Sequence, residues 1–200
     1  MEKDWTGNSH SLYKTLGASN HTSKVREVRD YYATEPRAAE LLLDVETFDK
    51  NVWECACGEK HLSHVFEDAG YSVRSSDVID RCCNEVYDFL SVENTSWSGD
   101  IVTNPPYKYA REFVEKALSV VSTGHKVAMF LKVLFLEGKA RKKLFETFPP
   151  RRVYVSSSRL LCAKNGDFKT MRVNGGSCVA YAWYVWQKGY TGETTIKWIN

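Results

Sequence analysis

The feature that most limits the fold is an ordered alternation of short apolar stretches with helix-patterned ones. Asn51–Cys55 reads as a strand, and Glu59–Ala69 as a helix with Leu62, Val65, Phe66 and Ala69 on one face and Gly70 at its stop. Tyr71–Ser75 is a second strand ending at Asp77, Val86–Leu90 a third, and Asp100–Thr103 a fourth, entered from Ser98-Gly99. Tyr109–Val121 is helical, with Phe113, Ala117, Leu118 and Val121 inward. Lys126–Val133 is apolar almost throughout, the pattern of a strand buried on both faces. Glu137–Phe148 is a basic amphipathic helix stopped by Pro149-Pro150, and Arg152–Val155 and Ser177–Gln187 are strands. Upstream, Thr34-Glu35-Pro36 opens a helix, with Thr34 as N-cap, Pro36 in the first turn and an apolar face of Ala38, Leu41, Leu42 and Val45. Strands separated by helices call for crossovers, so the class is α/β: a mostly parallel sheet with helices on both faces. The last two strands have no helix between them and pair as a hairpin, which makes the final one antiparallel.

The 200 residues, 43% of them apolar, suit one such domain over residues 30–200. Residues 1–29 are polar and read as a flexible N-terminal arm. Residues 156–176, with Gly166, Gly175 and Gly176, read as a polar loop of a length that is usually functional. The longest apolar runs, Ala128–Leu131 and Val133–Leu136, are broken by Lys132 and fall far short of the ~20 residues of a membrane span. Met1–Asp4 has no apolar signal region, so a cytoplasmic protein with six reduced cysteines is expected, with no membrane partner. The net charge of +2 conceals an asymmetry: residues 1–100 carry 10 Lys and Arg against 19 Asp and Glu, residues 101–200 carry 17 against 6. A basic half of that strength fits a polyanion such as DNA on one face.

Asn104-Pro105-Pro106-Tyr107 directly follows the Asp100–Thr103 strand. Open α/β sheets place ligands at the carboxyl ends of parallel strands. Two prolines fix the backbone there, so the Asn104 carboxamide oxygen and the Pro105 carbonyl can converge on one point. Two acceptors match an exocyclic amino group with two N–H donors, and Tyr107 offers a ring for the attached planar base.

The tetrapeptide resembles the catalytic motif of S-adenosylmethionine-dependent amino methyltransferases, above all the DNA adenine-N6 methyltransferases of small phage or prophage type. Other segments resemble that family in order. Trp53-Glu54-Cys55-Ala56-Cys57-Gly58 is similar to its first motif, the loop around the cofactor's methionine moiety. Asp77 stands where the family binds the cofactor ribose, and Asp88 where it contacts the cofactor adenine; Leu62, Val78 and Phe89 stand beside them. Tyr31-Tyr32-Ala33-Thr34-Glu35-Pro36 resembles an upstream cofactor motif, and Ala182-Trp183-Tyr184-Val185-Trp186 the last strand. The resemblance spans about residues 17–188. It implies a Rossmann-like class I methyltransferase fold with seven strands and an antiparallel C-terminal strand. It implies S-adenosylmethionine as cofactor, bound by Tyr31, Tyr32, Ala33, Thr34, Pro36, Glu54, Cys55, Ala56, Cys57, Gly58, Leu62, Asp77, Val78, Asp88, Phe89 and Asn104. It implies Asn104, Pro105, Pro106 and Tyr107 as the catalytic set. One departure stands out: the usual Gly-x-Gly is Gly58-Glu59-Lys60, which removes permissive backbone at the second position.

For DNA the expected contacts are Lys108 and Arg111 beside the motif and Arg159, Lys164, Lys169 and Arg172 in the polar loop; the Lys139–Lys143 helix is the less favoured surface. Cys55, Cys57, His61 and His64 resemble a zinc set, but their spacing is tight and overlaps the cofactor loop, so no metal is expected. The same chemistry on RNA adenine or a protein glutamine amide stays open, as do a non-catalytic decoy that binds nucleic acid, a homodimer, and membership of a restriction-modification system.

Overall fold

A computed structural model describes residues 32–81, 85–91, 96–163, 166–173 and 179–200. The expected arm over residues 1–29 lies outside them, as do Tyr31, Lys164, Cys82, Cys83 and Cys178. In chain order the elements are β1 (Ala33–Thr34), α1 (Pro36–Leu43), β2 (Asn51–Glu54), α2 (His61–Asp68), β3 (Ser72–Asp77), β4 (Glu85–Val86), β5 (Asp100–Thr103), α3 (Ala110–Val120), β6 (Lys126–Lys132), α4 (Lys139–Thr147), β7 (Arg152–Ser156), β8 (Cys162–Ala163), α5 (Phe168–Val173), β9 (Tyr181–Gln187) and β10 (Thr195–Ile199).

Among the described residues, eight strands form one sheet in the order β10-β7-β9-β6-β5-β2-β3-β4. Only β9 runs against its neighbours, β6 and β7; the other pairings in this sheet are parallel. Strand residues alternate between two cores. Trp53, Ile101, Val127, Met129 and Tyr184 face α3 and α4, while Val52, Val102, Ala128, Phe130 and Trp183 face α1 and α2. The α/β class with helices on both faces is therefore as the alternation predicted.

The sheet has one strand more than expected. Thr195–Ile199 adds a parallel edge beside β7, so the antiparallel strand is internal rather than C-terminal. The third strand is also shorter than Val86–Leu90: only Glu85–Val86 pairs with β3, after which Tyr87 N–H donates to the Asp77 carbonyl (2.8 Å) and the chain turns over the sheet end.

Two buried carboxylates lock the amino-terminal rim of the sheet. Asp100 accepts from the backbone N–H of Asp49 and of Lys126 (both 2.7 Å) and lies 3.1 Å from His125 Nδ1, joining the entries to β2, β5 and β6. Glu46 takes Lys126 (2.7 Å), Tyr154 (2.7 Å) and Arg152 (2.5 Å). That rim is closed by structure, which leaves the carboxyl-terminal rim for a ligand.

Within the 156–176 segment, the described residues form more structure than a polar loop. Leu160, Leu161, Cys162 and Ala163 are buried, and Cys162–Ala163 pairs antiparallel with Ala33–Thr34 to form a second, two-stranded sheet. This pairing also corrects the helix start. Thr34 lies in β1, and the residue at the N-cap of α1 is Glu35, whose side chain makes no capping bond. The Glu35 carboxylate instead accepts from Leu161 N–H (3.0 Å) and Arg172 (2.5 Å).

Candidate active site

The sheet reverses its winding between β2 and β5, which are neighbours although the chain visits β3 and β4 between them. The loops leaving both strands open onto the crevice where such sheets bind ligands. A cavity of about 700 Å³ occupies it, within the usual range for a small-molecule site.

Most of the residues singled out from the sequence meet there. Its wall includes Tyr32, Ala33 and Thr34 from β1, and Glu54, Cys55, Ala56, Cys57 and Leu62 around the loop from β2 into α2. Asp77 and Val78 follow β3, Asp88 and Phe89 follow β4, and Asn104, Pro105, Pro106, Tyr107 and Lys108 follow β5. Gly58 and Pro36 do not line the wall; each fixes backbone nearby. His61, Ile79, Arg81, Tyr87, Leu90, Tyr109 and Phe113, which are not among the site residues expected from the sequence, also line it. The i, i+4 spacing of Tyr109 and Phe113 was a usable signal. The others flank identified positions but form no motif.

The loop after β2 docks on the end of β3. Cys57 N–H donates to the Ser76 carbonyl (3.0 Å), and Gly58 N–H to Asp77 Oδ2 (2.9 Å). Asp77 Oδ1 accepts from Ile79 N–H (3.1 Å), so this carboxylate caps its own turn as well as holding the loop. Lys60 sits in the left-handed region at φ 62° and keeps the turn that a glycine would make. Glu54 is buried, with Oε2 held by the backbone N–H (2.8 Å) and hydroxyl of Ser63. Burial pushes its carboxyl up to about 8 against the pull of the Ser63 bonds, so the group is mostly protonated at neutral pH. Burial pushes the Cys55 thiol well up too, which keeps it an inert filler.

Asn104 is held from the side by the small sheet. Its Nδ2 donates to Thr34 Oγ1 (2.7 Å) and to the Tyr32 carbonyl (3.2 Å), with Cys162 Sγ at 3.8 Å. A carbonyl only accepts, so the edge facing Tyr32 must be the NH₂ edge. That fixes the amide orientation and leaves Oδ1 as the free acceptor. Oδ1 is buried with no hydrogen-bond partner among the described residues, a costly state for a polar atom in a finished structure. Tyr107 is half-buried; its hydroxyl lies 3.3 Å from Cys162 Sγ, and its ring stacks on Tyr181 at 5.9 Å and 29°. Burial keeps the Tyr107 hydroxyl well above its ordinary titration range and the Cys162 thiol up at about 11, so both stay protonated.

The expected polyanion contacts divide. Lys108 lies on the cavity wall and Arg111 on the exposed face of α3, 3.9 Å from Glu112 and Glu115. Arg159 and Lys169 are exposed. Arg172 is exposed but bound to the buried Glu35. Among the described residues no group of three or more His, Cys, Asp or Glu could hold a metal ion, so Cys55, Cys57, His61 and His64 do not assemble into a ligand set. No helix among them is long and apolar enough to cross a membrane.

No protein-family model matches the sequence, and no curated protein does. Solved structures match in shape. A candidate class I S-adenosylmethionine-dependent methyltransferase from Listeria monocytogenes aligns with a TM-score of 0.58 at 12% identity, over 94% of this chain and 69% of its own. A candidate RNA methyltransferase from Pyrococcus horikoshii gives 0.53 at 15%, over 90% of this chain and 99% of its own. The 23S rRNA methyltransferase ErmE gives 0.53 at 17%, over 82% of this chain and 70% of its own. The fold is that of the class I methyltransferases. Within this methyltransferase fold the cavity lies where the loops from β2, β3 and β5 converge, and Asn104 stands at its floor beside the small sheet.

Proposed function

We propose that the protein transfers a methyl group from S-adenosylmethionine to the N6 amino group of a flipped-out adenine in DNA. The observation that carries this reading is the Asn104 carboxamide, clamped through its NH₂ edge with its buried Oδ1 left without a partner among the described residues. Such an acceptor is ill suited to a carbonyl oxygen as the target, and together with the Pro105 carbonyl it offers two acceptors, which the two N–H donors of an amino group fill and the single O–H of a hydroxyl does not.

The remaining wall fits the cofactor. Asp77 has lone pairs left for ribose hydroxyls beyond its two backbone bonds. Asp88 and Phe89 provide an edge and a face for the adenine ring. Tyr32 to Thr34 and the Glu54–Cys57 segment enclose the methionine end. When bound, the cofactor supplies an electrophilic methyl on a sulfonium. The chain's part is to prepare the nucleophile. The lone pair of an adenine amino group is delocalised into its ring. Hydrogen bonds to Asn104 Oδ1 and the Pro105 carbonyl draw that nitrogen toward tetrahedral geometry and localise the lone pair for in-line attack. Two prolines and the Thr34 bond hold the acceptors in place, so little reorganisation accompanies the reaction. The base reaches this pocket only outside the duplex, and Tyr107 on the cavity wall offers it an aromatic ring.

RNA adenine is the second reading. It is favoured by the structural likeness to proteins named as RNA methyltransferases, and the same acceptors would serve it. One experiment separates the readings. The protein is incubated with radiolabelled cofactor and DNA, RNA or a glutamine-bearing release factor, and the products are digested. N6-methyladenine from DNA is expected. Label confined to RNA or protein overturns the DNA reading, and DNA retention without any transfer supports a decoy. Asn104→Ala should lower turnover by about a thousandfold, the scale of losing a transition-state acceptor, with cofactor affinity changed little. Unaltered turnover would sink the role given to Asn104.

A further inference from the structure

The carboxyl-terminal rim carries a second built feature, next to the Asn104 loop. After β6 the chain makes a one-turn 3-10 segment, Val133–Leu136, that puts apolar side chains into solvent: Leu134 is 67% exposed and Leu136 41%. A single exposed leucine needs no explanation. What needs one here is how firmly the turn is held. Tyr184 Oη donates to the carbonyls of Lys132 and Val133 (both 3.2 Å). The Arg141 guanidinium donates to the carbonyls of Phe135 (2.8 Å), Leu134 (3.2 Å) and Glu137. Phe135 is buried beneath the turn, against Phe145 and Tyr184. Gly138 sits at φ +122°, and a Cβ there would come within 2.9 Å of Arg141 Nη2, so the return path is shaped around the clamp. Side chains from α4 and β9 thus grip five carbonyls, and the turn presents Leu134 outward.

The surroundings say what the turn meets. Lys132 Nζ lies 5.1 Å from the Tyr107 ring centroid, which ties the start of the turn to the catalytic loop. Tyr109, 43% exposed, stands at the cavity mouth with Lys108 5.1 Å over its ring. Lys139 and Lys143 are exposed on α4 behind it. An apolar tip with Lys132 at its base and the exposed Lys139 and Lys143 on the helix that follows, one carboxylate (Glu137) between them, complements a partner with an anionic outside and an apolar, stacked interior, which is duplex DNA.

We infer that Val133–Leu136 is a wedge that enters the base stack beside the target adenine, with Leu134 as its tip and Arg141 as the residue that stiffens it. This rests on the DNA reading above. An extruded base leaves a gap in the stack, and a rigid apolar group filling it offsets part of the unstacking cost. A tip on a floppy turn would lose that benefit to ordering entropy.

The test needs no knowledge of the target sequence. Plasmid is relaxed by a topoisomerase in the presence of the protein, and the topoisomer distribution is read after protein removal. In parallel, native plasmid is methylated with labelled cofactor. The wild type should shift the distribution, because insertion unwinds DNA. Leu134→Ala, at a surface position that leaves folding intact, should abolish most of the shift and lower methylation of native plasmid about tenfold. Leu134→Phe should restore both, and Arg141→Gln should lower both in the same direction. A wild type that methylates plasmid without shifting it, or a Leu134→Ala protein that shifts and methylates as well as wild type, overturns the wedge alone. Methylation of RNA only, or of nothing, overturns the DNA reading and the wedge with it.

Discussion

At the scale of single residues, Lys60 is where the chain departs most visibly from the motif it resembles, and the structure shows how the departure is absorbed. Lys60 occupies the left-handed conformation, which a residue with a Cβ adopts at a cost of about 1–2 kcal/mol. The turn nevertheless closes, with Lys60 N–H on the Cys57 carbonyl (2.8 Å) and the Lys60 carbonyl accepting from His64 N–H (3.0 Å). The loop keeps its geometry and bears local strain. Lys60→Gly relieves that strain but adds freedom to the unfolded chain, so a net gain of about 1 kcal/mol is expected in urea unfolding. Lys60→Ala keeps the strain and should gain nothing. A Gly variant no more stable than wild type would mean that the Lys60 side chain itself holds the loop. The clamp on Asn104 is likewise a matter of one atom: Thr34 Oγ1 carries the shortest bond to the Asn104 amide. In the sequence Thr34 stands both where a helix cap is expected and in the segment that resembles a cofactor motif. Its contact lies 70 residues away along the chain, beyond the reach of any local pattern.

Between elements, the two ends of the sheet do opposite things, and pH distinguishes them. At the closed end, burial would raise the Glu46 carboxyl, but bonds from Lys126, Tyr154 and Arg152 outweigh it and hold the group below its ordinary value. A carboxylate depressed in the folded state contributes stability that is fully present above its unfolded value near 4.5 and is lost as pH falls through the lower folded value. Glu46→Gln should therefore destabilise by about 2 kcal/mol at pH 7, discounted because Lys126 and Arg152 are partly exposed. Its deficit relative to wild type should shrink as pH drops below about 4.5. A deficit independent of pH would assign the loss to packing. How far the sequence revealed these elements follows from their length. β6 and β9 were legible because seven residues with most side chains buried leave a continuous apolar run. The pairing of β1 with β8 was not, since two-residue strands carry no period. β10 was missed although Ile196 and Trp198 alternate, because an exposed edge strand looks like a polar tail. The cavity wall was read largely through motifs, and Tyr87, His61 and Arg81 escaped because only tertiary folding brings them in.

Taken as a whole molecule, the acidic first half and the basic second half are partly each other's partners. Glu46 and Glu35, both buried, are met by Lys126, Arg152 and Arg172 from the other half. Some of the basic surplus is thus used inside the fold, and Arg172 belongs to this internal set although its side chain is 64% exposed. Arg159 and Lys169 are different. They are exposed, and no ion pair is found for either among the described residues. On the DNA reading, each cation that neutralises a phosphate adds about 0.9 to the slope of log affinity against log salt. Arg159→Ala with Lys169→Ala should therefore flatten that slope by up to about 1.8 and leave thermal stability unchanged. Arg172→Ala should do the reverse. Among the described residues it leaves the buried Glu35 carboxylate with Leu161 N–H alone, so it should cost about 1 kcal/mol of stability with little effect on the slope. Filter binding across a salt series, with melting curves of the same proteins, reads both quantities. If Arg172→Ala flattens the slope while melting as wild type does, the exposed guanidinium faces the polyanion and the ion pair with Glu35 is incidental. If the double variant leaves the slope unchanged, the 156–176 segment serves the inner sheet, and phosphate recognition falls to Lys108 and the lysines of α4.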